Sequence, residues 1–371
     1  MAERFAYDPV VMGDREFSLL VAACRATFAG EDVAATSAAA DGIDWPRLLA
    51  MATRHRVEAL AWHSLGPLDL PVPKGIAAEF SARAAATVAS NLRSALECAA
   101  LARAFTAAGI DLLFVKGLTL GTLAYGTPYL KMGLDIDLLV SQDRIADAVA
   151  VLTASGYAPT EPASPITTGR LVAWHRQRKE TAWHQPEGDF YLDLHGRLSD
   201  HHHLIAGIGM ASPRQSVMVA PGIELPTLSR DELFAYLCVH GASSAWFRLK
   251  WITDVGALVH GADEHELDRL YARSQQLGAG RTAGQALLLA DRLYQIPLGA
   301  PLRAELARDP AVRWLADVAI TQLAGRRDFR EPTERRFGTA TIRASQLVLV
   351  PGWRPLLSEL GRQVGDVLTP R

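Results

Sequence analysis

Cysteine is scarce in this sequence: the 371 residues include only three, Cys24, Cys98 and Cys238. They lie far apart and form no CxxC pair. This spacing argues against a disulfide framework and against a zinc knuckle. We therefore expect buried, reduced thiols.

Long apolar runs are also missing, because no uninterrupted stretch approaches the ~20 residues that a membrane-spanning helix needs. The N-terminal stretch MAERFAYDPVV contains acids and no apolar signal core. We predict a cytoplasmic protein without a membrane partner. The formal net charge is −2, so the chain as a whole lacks the basic surface that favours duplex nucleic acid, although a local basic patch stays open.

The sequence does contain 49% hydrophobic residues, enough for a packed core. Helical spacing of these residues predicts helices over residues 15–64 and, beyond a proline-rich break, over residues 76–108. Asp44 suits the N-cap of one of them. Ser229 with Glu232 fits a capping box, after which we expect helices up to the C-terminus.

From Gly109 onwards the helical pattern of residues gives way to strand-like runs. The runs IDLLFVKG (110–117) and LDIDLLV (134–140) read as strands, an amphipathic helix is expected over residues 143–157, and residues 178–198 read as two strands around a PEGD turn. This order predicts the α+β class with a mixed sheet. The expected plan is an N-terminal helical region (1–108), an α/β core (109–226) and a C-terminal helical domain (227–371).

The stretch GLDIDLLV (133–140) places two acids in an apolar run. Side chains alternate along a strand, so Asp135 and Asp137 should share one face while Leu134 and its apolar neighbours anchor the other. Adjacent carboxylates repel unless a cation lies between them. Mg²⁺ prefers oxygen ligands and lets substrate phosphates complete its shell. The pair therefore predicts a Mg²⁺ site, with Mn²⁺ as the alternative ion.

A second acidic strand follows in YLDLHG (191–196), where Asp193 and His195 should share a face. If it pairs beside the first, Asp193 becomes a third carboxylate. Three acids could hold two metal ions, and one of them could accept the proton of an incoming hydroxyl. His195 could orient an acid, touch the substrate or bond only to the backbone, and we favour a structural role.

A phosphate cradle is predicted where VKGLTL (115–120) ends a strand and enters a helix. Gly117 lies at the turn, and Lys116 and Thr119 could add a charge and a hydroxyl. Lys131, just before the acidic strand, is a further candidate cation. The segment is not a Walker loop, because GxxxxGK[ST] is absent.

Together the segments FVKGLTL, MGLDIDLLV and LDLHGRL resemble a bacterial uncharacterised nucleotidyltransferase family of the DNA polymerase β-type superfamily. The segments DWPRLLAMATRHRV upstream and LFAYLCVHGASSAWFRLKWITDVGALV downstream are similar to it as well, so the resemblance spans most of residues 44–260. It implies a polymerase β-like core that transfers a nucleoside monophosphate from an NTP to a hydroxyl or phosphate acceptor and releases pyrophosphate.

Residue by residue, the resemblance implies Asp135 and Asp137 as metal ligands, Asp193 as third ligand and base, and Gly117 as the phosphate-loop glycine. The sequence departs from the family's pattern at several places, among them the longer interval from Gly117 to Asp135 and Leu134 between Gly133 and Asp135. Leu118 follows Gly117 where a small residue is common, and Gly196 replaces the usual aromatic residue. A degenerate nucleotide-binding module and a transferase that uses a nucleotide sugar are the alternatives. The resemblance also implies a peptide or glycan as acceptor, and a toxin–antitoxin role is less favoured.

Several other polar residues have two interpretations each. Arg170, Arg176, Arg178 and Lys179 could line an anionic substrate channel or form a solvated face. The consecutive residues His201, His202 and His203 suit a solvated loop better than a metal site. His55 is expected to be structural.

Two consecutive predicted helices after residue 229 carry a last group, His240, Lys250, Trp251 and Asp254. These residues could contact a nucleotide or acceptor across a cleft. Packing inside the helical domain is the favoured alternative.

Overall fold

The computed structural model describes residues 14–30, 42–324, 330–335 and 338–368. The N-terminal stretch MAERFAYDPVV, for which no signal core was predicted, lies outside these residues. Within them, no helix has both the length and the apolar character needed to cross a bilayer.

Among the described residues before the sheet, the chain forms the helices α1 (Arg15–Ala29), α2 (Trp45–His55), α3 (Glu58–Leu65) and α4 (Lys74–Ala107). Asp44 caps α2 as predicted, because its carboxylate accepts a hydrogen bond of 3.1 Å from the backbone N–H of Arg47. The helix ends at Arg56, whose backbone adopts the left-handed conformation with φ 57°. This turn places Arg56 at the edge of a cavity that Asp137 also lines.

The central segment forms strands and helices in the order β1 (Leu112–Phe114), α5 (Gly117–Tyr125), β2 (Ile136–Val140), α6 (Ile145–Ala154), β3 (Ala158–Glu161), α7 (Thr168–Gln177), β4 (Glu180–Gln185) and β5 (Phe190–His195). The sheet order is β1-β2-β5-β4-β3. Strands β2 and β5 are parallel and the other neighbours are antiparallel. This arrangement confirms the α+β class and the mixed sheet.

Two strands were not predicted as such: β6 (Arg214–Ala220) and β7 (Ile223–Leu228) form a separate hairpin. The segment PGIELPTLS (221–229) contains prolines, which argue against a central strand. In a two-stranded hairpin Pro226 meets no such restriction, and Gly222 supplies the turn with φ 75°.

The C-terminal half is helical, as predicted: α8 (Arg230–Ser243), α9 (Leu249–Leu258), α10 (Glu264–Gln276), α11 (Gly280–Tyr294), α12 (Ala300–Arg308), α13 (Pro310–Ala324), α14 (Ala340–Gln346) and α15 (Trp353–Leu368). Ser229 is the N-cap of α8, but its hydroxyl bonds the carboxylate of Glu232 and caps no backbone N–H. The capping box predicted there is therefore not formed.

Two hydrophobic cores cover the two faces of the sheet. Ile136 and Leu138 belong to the core that β2 shares with α4, α6 and the hairpin. Leu139, on the opposite face, joins Phe17 and Phe234 in a core that is continuous between the N-terminal and C-terminal helices. The proposed boundaries at residues 108 and 226 thus separate chain segments that share one core.

The corner between α8 and α9 is set by one close contact. Gly241 on α8 leaves room for the fully buried ring of Trp246, since a Cβ at residue 241 would lie 2.3–2.5 Å from three of its carbons. Trp246 itself has φ 53°. The packing of this ring fixes the start of α9, which carries Lys250 and Asp254.

We expect Gly241→Ala to reduce the free energy of unfolding by about 1–3 kcal/mol, because the added methyl overpacks the corner. Urea denaturation followed by circular dichroism measures the loss. Gly75→Ala is the matched control: it lies near the start of α4 with no atom within 4 Å of the new Cβ, so stability should stay equal or rise. Equal stability of the two variants would contradict this account of the corner.

Candidate active site

The two acidic strands lie side by side. Strand β2 pairs with β5 in parallel, and the register sets Asp137 opposite Asp193. Because facing residues in one register share a sheet face, both carboxylates and His195 point to the same side. One ligand atom from each of Asp137, Asp193 and His195 lies within 4.8 Å of the others. Among the described residues, this is the group that could hold a metal ion.

Asp135 occupies a different position. Strand β2 begins at Ile136, so Asp135 precedes the regular alternation and is exposed, whereas Asp137 is buried. Asp135 is not a member of the close group, although it lines the same cavity as Asp137. The prediction that Leu134 anchors the opposite face is wrong, because Leu134 is 53% exposed.

A fourth carboxylate, which the sequence analysis missed, lies beside the group. Glu180 starts β4, and its Oε2 lies 3.2 Å from His195 Nδ1 and also bonds the ammonium of Lys179. His195 Nε2 lies 3.2 Å from Asp137 Oδ1. The imidazole therefore lies between two acids, and its Nε2 makes a hydrogen bond to Asp137. Glu180 was overlooked because it ends the basic stretch RLVAWHRQRKE.

Lys116 reaches into the acidic group from the loop before α5. Its ammonium lies 2.7 Å from Asp137 Oδ1. Burial alone would lower the pKa of Lys116, but the carboxylates of Asp137 and Asp135 and the nearby Tyr236 outweigh burial and raise it. Gly117 follows with φ 61°, and no atom lies within 4 Å of a Cβ built on it, so the loop is open toward solvent or a ligand.

Thr119 is fully buried, and its hydroxyl lies 3.0 Å from the carbonyls of both Phe114 and Lys116. That hydroxyl proton is directed to the backbone of the loop. The structure thus gives Thr119 a loop-bracing position, in contrast to Lys116, whose charge faces the acids.

The pKa values of Asp137 and Asp193 are shifted in opposite directions. Burial, followed by the charges of Glu180 and Asp137, raises the pKa of Asp193 to about 8. Burial also acts on Asp137, but Lys116 and His195 outweigh it and hold its pKa well below the ordinary value. Without a metal ion, the site thus combines an ionised Asp137 with a protonated Asp193 at neutral pH.

Basic side chains face the acids across a cavity of ≈ 160 Å³, which Asp135, Asp137 and Gly117 also line. The basic side chains that line it are Arg56, Lys116, Lys131, Arg248 and Lys250. Lys131 is buried with its Nζ 3.5 Å from Asp254 Oδ2. The cavity thus carries an excess of positive charge beside a carboxylate group.

Lys250 lies at the first turn of α9 and makes no ion pair with any described residue. Burial, followed by the neighbouring charges of Lys131 and Arg56, lowers its pKa to about 7. An anion in the cavity would relieve this repulsion between cations. His240 lines the same cavity, and burial lowers its pKa as well.

Arg56 and Arg248 were missed by the sequence analysis. Both sit in segments that were quoted for the family resemblance, RHRV and FRLKW, but neither segment shows which side chain points inward. Arg248 is held by a 2.6 Å bond to Glu331 and by the ring of Phe247, 5.1 Å away.

Other candidates lie away from the cavity. Arg176 is exposed at the end of α7, and neither it nor Arg178 lines the cavity at Asp137. His202 and His203 are exposed, as the solvated interpretation predicts. His55 is buried, and its Nδ1 accepts a 3.1 Å hydrogen bond from the backbone N–H of Leu249, which ties α2 to α9.

Among curated protein sequences, none matches the chain. The model of a family described as uncharacterised nucleotidyltransferase matches residues 41–295. This range contains both acidic strands, the loop at Gly117 and helices α2, α8 and α9, and it confirms the predicted resemblance. The chain therefore belongs to this nucleotidyltransferase family.

Proposed function

We propose that the protein is a divalent-metal-dependent nucleotidyltransferase that moves a nucleoside monophosphate from an NTP to a hydroxyl or phosphate oxygen and releases pyrophosphate. The observation that carries the proposal is the parallel register of Asp137 and Asp193, with a cation-lined cavity directly beside it. A carboxylate pair alone would suit many cations. The adjoining excess of positive charge adds a place for a polyphosphate.

The donor set fits Mg²⁺ or Mn²⁺. Two carboxylates and one imidazole converge within 4.8 Å, and Asp135 adds a further oxygen donor at the cavity wall. Carboxylate-rich sites suit these ions, whereas zinc sites are richer in nitrogen and sulfur. Burial and the neighbouring negative charges raise the pKa of Asp193. The same negative charges would favour a bound metal ion, because they stabilise any added cation, whether a proton or a metal. When bound, the metal would polarise the reacting phosphate and stabilise the attacking and leaving oxygens.

The chain's own residues would divide the remaining tasks. Arg56, Lys131, Arg248 and Lys250 would hold the triphosphate charge, and the backbone at Gly117 would approach the phosphates at the start of α5. An acceptor oxygen attacks the α-phosphorus, the bond from that phosphorus to the bridging oxygen breaks, and pyrophosphate leaves. Asp193 takes the acceptor proton and returns it to solvent.

A nucleotide-binding module without transfer activity is the second candidate. It is favoured by the 2.7 Å contact between Lys116 and Asp137, since an ammonium already neutralises the carboxylate that a metal would need. In that case nucleotides would bind the cationic wall, which Arg56, Lys131, Arg248 and Lys250 form along the cavity. The labelled phosphate of the NTP would not be transferred to an acceptor. Transfer of ³²P from α-labelled NTP to an acceptor separates the two candidates.

We expect Asp137→Asn and Asp193→Asn to lower transfer of ³²P from α-labelled NTP by about 10²–10⁴-fold, because each removes a ligand or base. Pools of peptides, glycans and phosphorylated sugars serve as acceptors, with Mg²⁺ and each of the four NTPs. Asp111→Asn is the control, since Asp111 is exposed and forms only a surface ion pair with Arg214. Undiminished transfer in both site variants would refute the proposed transferase mechanism. NTP binding without transfer in the wild type would support the nucleotide-binding module.

Metal affinity should rise with pH below the pKa of Asp193, which lies at about 8. The metal and the proton compete for one carboxylate, so the Kd for Mn²⁺ should fall by up to about tenfold per pH unit in that range. Calorimetry in two buffers of different ionisation enthalpy counts the released proton. Asp193→Asn should abolish the release, and a Kd that does not change with pH in the wild type would contradict the prediction.

Lys250→Gln should weaken the binding of NTP by about tenfold or more and leave the binding of the uncharged nucleoside unchanged, because a charge-assisted contact to phosphate is lost. Equilibrium dialysis with labelled NTP and nucleoside measures both. Lys74→Gln is matched in chemistry but lies exposed at the start of α4. Equal losses for NTP and nucleoside would exclude a phosphate contact for Lys250.

A further inference from the structure

A second, larger cavity of ≈ 360 Å³ lies between α8, the loop after β5 and the helices α14 and α15. It is more than twice the size of the cation-lined cavity beside Asp137, at ≈ 160 Å³. A volume above about 300 Å³ is typical of sites that enclose a small organic ligand. Its lining comes from two parts of the chain: residues 179–244 lie within the family match at 41–295, whereas α14 and α15 follow residue 295.

The two cavities have one lining residue in common. His240 lines both of them. Lys179 lines the larger cavity and binds Glu180, whose Oε2 lies 3.2 Å from His195 Nδ1, and His195 Nε2 lies 3.2 Å from Asp137. The larger cavity is therefore connected to Asp137 by a chain of contacts through Lys179, Glu180 and His195, and the basic residues of the smaller cavity do not line it. An acceptor bound in the larger cavity would leave those basic residues to the nucleotide.

The lining of the larger cavity is polar and suits hydroxyl groups. The side chains of Ser243, Ser244 and Thr339 face it, and none of their hydroxyls bonds a described residue. The amides of Gln346 and Gln363 lie on the same wall. Of the described residues that line the cavity, none is Phe, Tyr or Trp, and its aromatic side chains are the imidazoles of His201 and His240.

The charge of the lining favours an anion. Lys179, Arg343 and Arg362 face two carboxylates, Asp200 and Glu359. Lys179 and Arg362 already have acidic partners in Glu180 and Glu359. Arg343 is exposed on α14 and has no acidic partner among the described residues, so its guanidinium is available for a phosphate or carboxylate.

We propose that this cavity is the acceptor site and that it takes a small hydroxyl-bearing anion of the sugar-phosphate class, bound through Arg343, Ser243 and Ser244. The inference rests on the proposed transfer function, which it extends by naming the acceptor class. In the reaction, an oxygen of the sugar phosphate forms the new bond to the α-phosphorus of the NTP, the bond to the bridging oxygen breaks, and pyrophosphate leaves; where the attacking oxygen is a hydroxyl, its proton passes to Asp193.

The test measures binding and transfer in the same full-length variants. Hexose 1-phosphates, hexose 6-phosphates and ribose 5-phosphate are compared with the neutral sugars, with glucuronate, with inorganic phosphate, and with peptide and oligonucleotide acceptors. The variant Arg343→Glu is matched with Arg354→Glu, an equal charge change at an exposed residue of α15 that does not line the cavity. The double variant Ser243→Ala and Ser244→Ala tests the hydroxyls without changing charge.

We expect sugar phosphates to bind and to accept label, and Arg343→Glu to raise their Kd and KM by about tenfold or more, as loss of a charge-assisted contact predicts. The Kd for Mg²⁺·NTP should stay within about twofold of the wild type, because Arg343 lies outside the cationic wall. The serine double variant should raise the acceptor KM and leave NTP binding intact.

Equal acceptor constants in Arg343→Glu and Arg354→Glu would overturn the inference, as would transfer that proceeds only to peptides or oligonucleotides. In either case NTP binding that depends on Lys250 would leave the proposed function standing. Binding of sugar phosphates by a protein that binds no NTP would instead overturn both the acceptor role and the proposed function.

Discussion

The site depends on one backbone constraint, the parallel register between β2 and β5. Because side chains alternate with a period of two, a shift of one residue would turn Asp193 and His195 to the other face of the sheet and bring Leu192 or Leu194 opposite Asp137. The apolar neighbours Ile136 and Leu138 fix this register from the opposite face, where they are buried in the core with α4 and α6. Hydrophobic packing on one face thus determines the chemistry of the other.

That register has an electrostatic cost, which the surrounding charges offset. Asp137, Asp193 and Glu180 lie close together in a largely buried region, where like charges interact strongly. Lys116 and Lys179 each contact one of these acids, and the imidazole of His195 lies between two. The acidic group is therefore stable without a metal ion only as a mixed cluster of acids and bases, and binding an ion would redistribute these contacts.

The sequence was sufficient to predict the parts of the fold that depend on local patterns. Alternation and family resemblance identified the acidic strands, and the cap at Asp44 and the PEGD turn between β4 and β5 were read directly from residue types. The pairing of β2 with β5 was left open, because register is a property of two distant segments. Arg56 was missed for a related reason: its inward position follows from a left-handed turn at the end of α2, which no residue type there indicates.

The wrong prediction for Leu134 and the missed hairpin β6–β7 also concern features that depend on contacts between distant segments. Leu134 was assigned to a buried face because the strand was expected to begin there, whereas hydrogen bonding to β5 begins at Ile136. The hairpin β6–β7 was overlooked because its prolines mask a strand pattern that becomes stable only when Val217 and Leu225 join the core of the sheet. In both cases tertiary contacts outweighed the local pattern.

The hydrogen bond from Leu249 to His55 joins residues that are 194 positions apart in the chain. Arg56 and Arg248 adjoin these two residues, so the cationic wall is assembled only when the first helices meet α9. During synthesis, a chain that has emerged only as far as β5 has its carboxylates, Arg56 and Lys131, but lacks Arg248 and Lys250. Completing the wall therefore requires the closure of a long loop, which costs more chain entropy than a local contact.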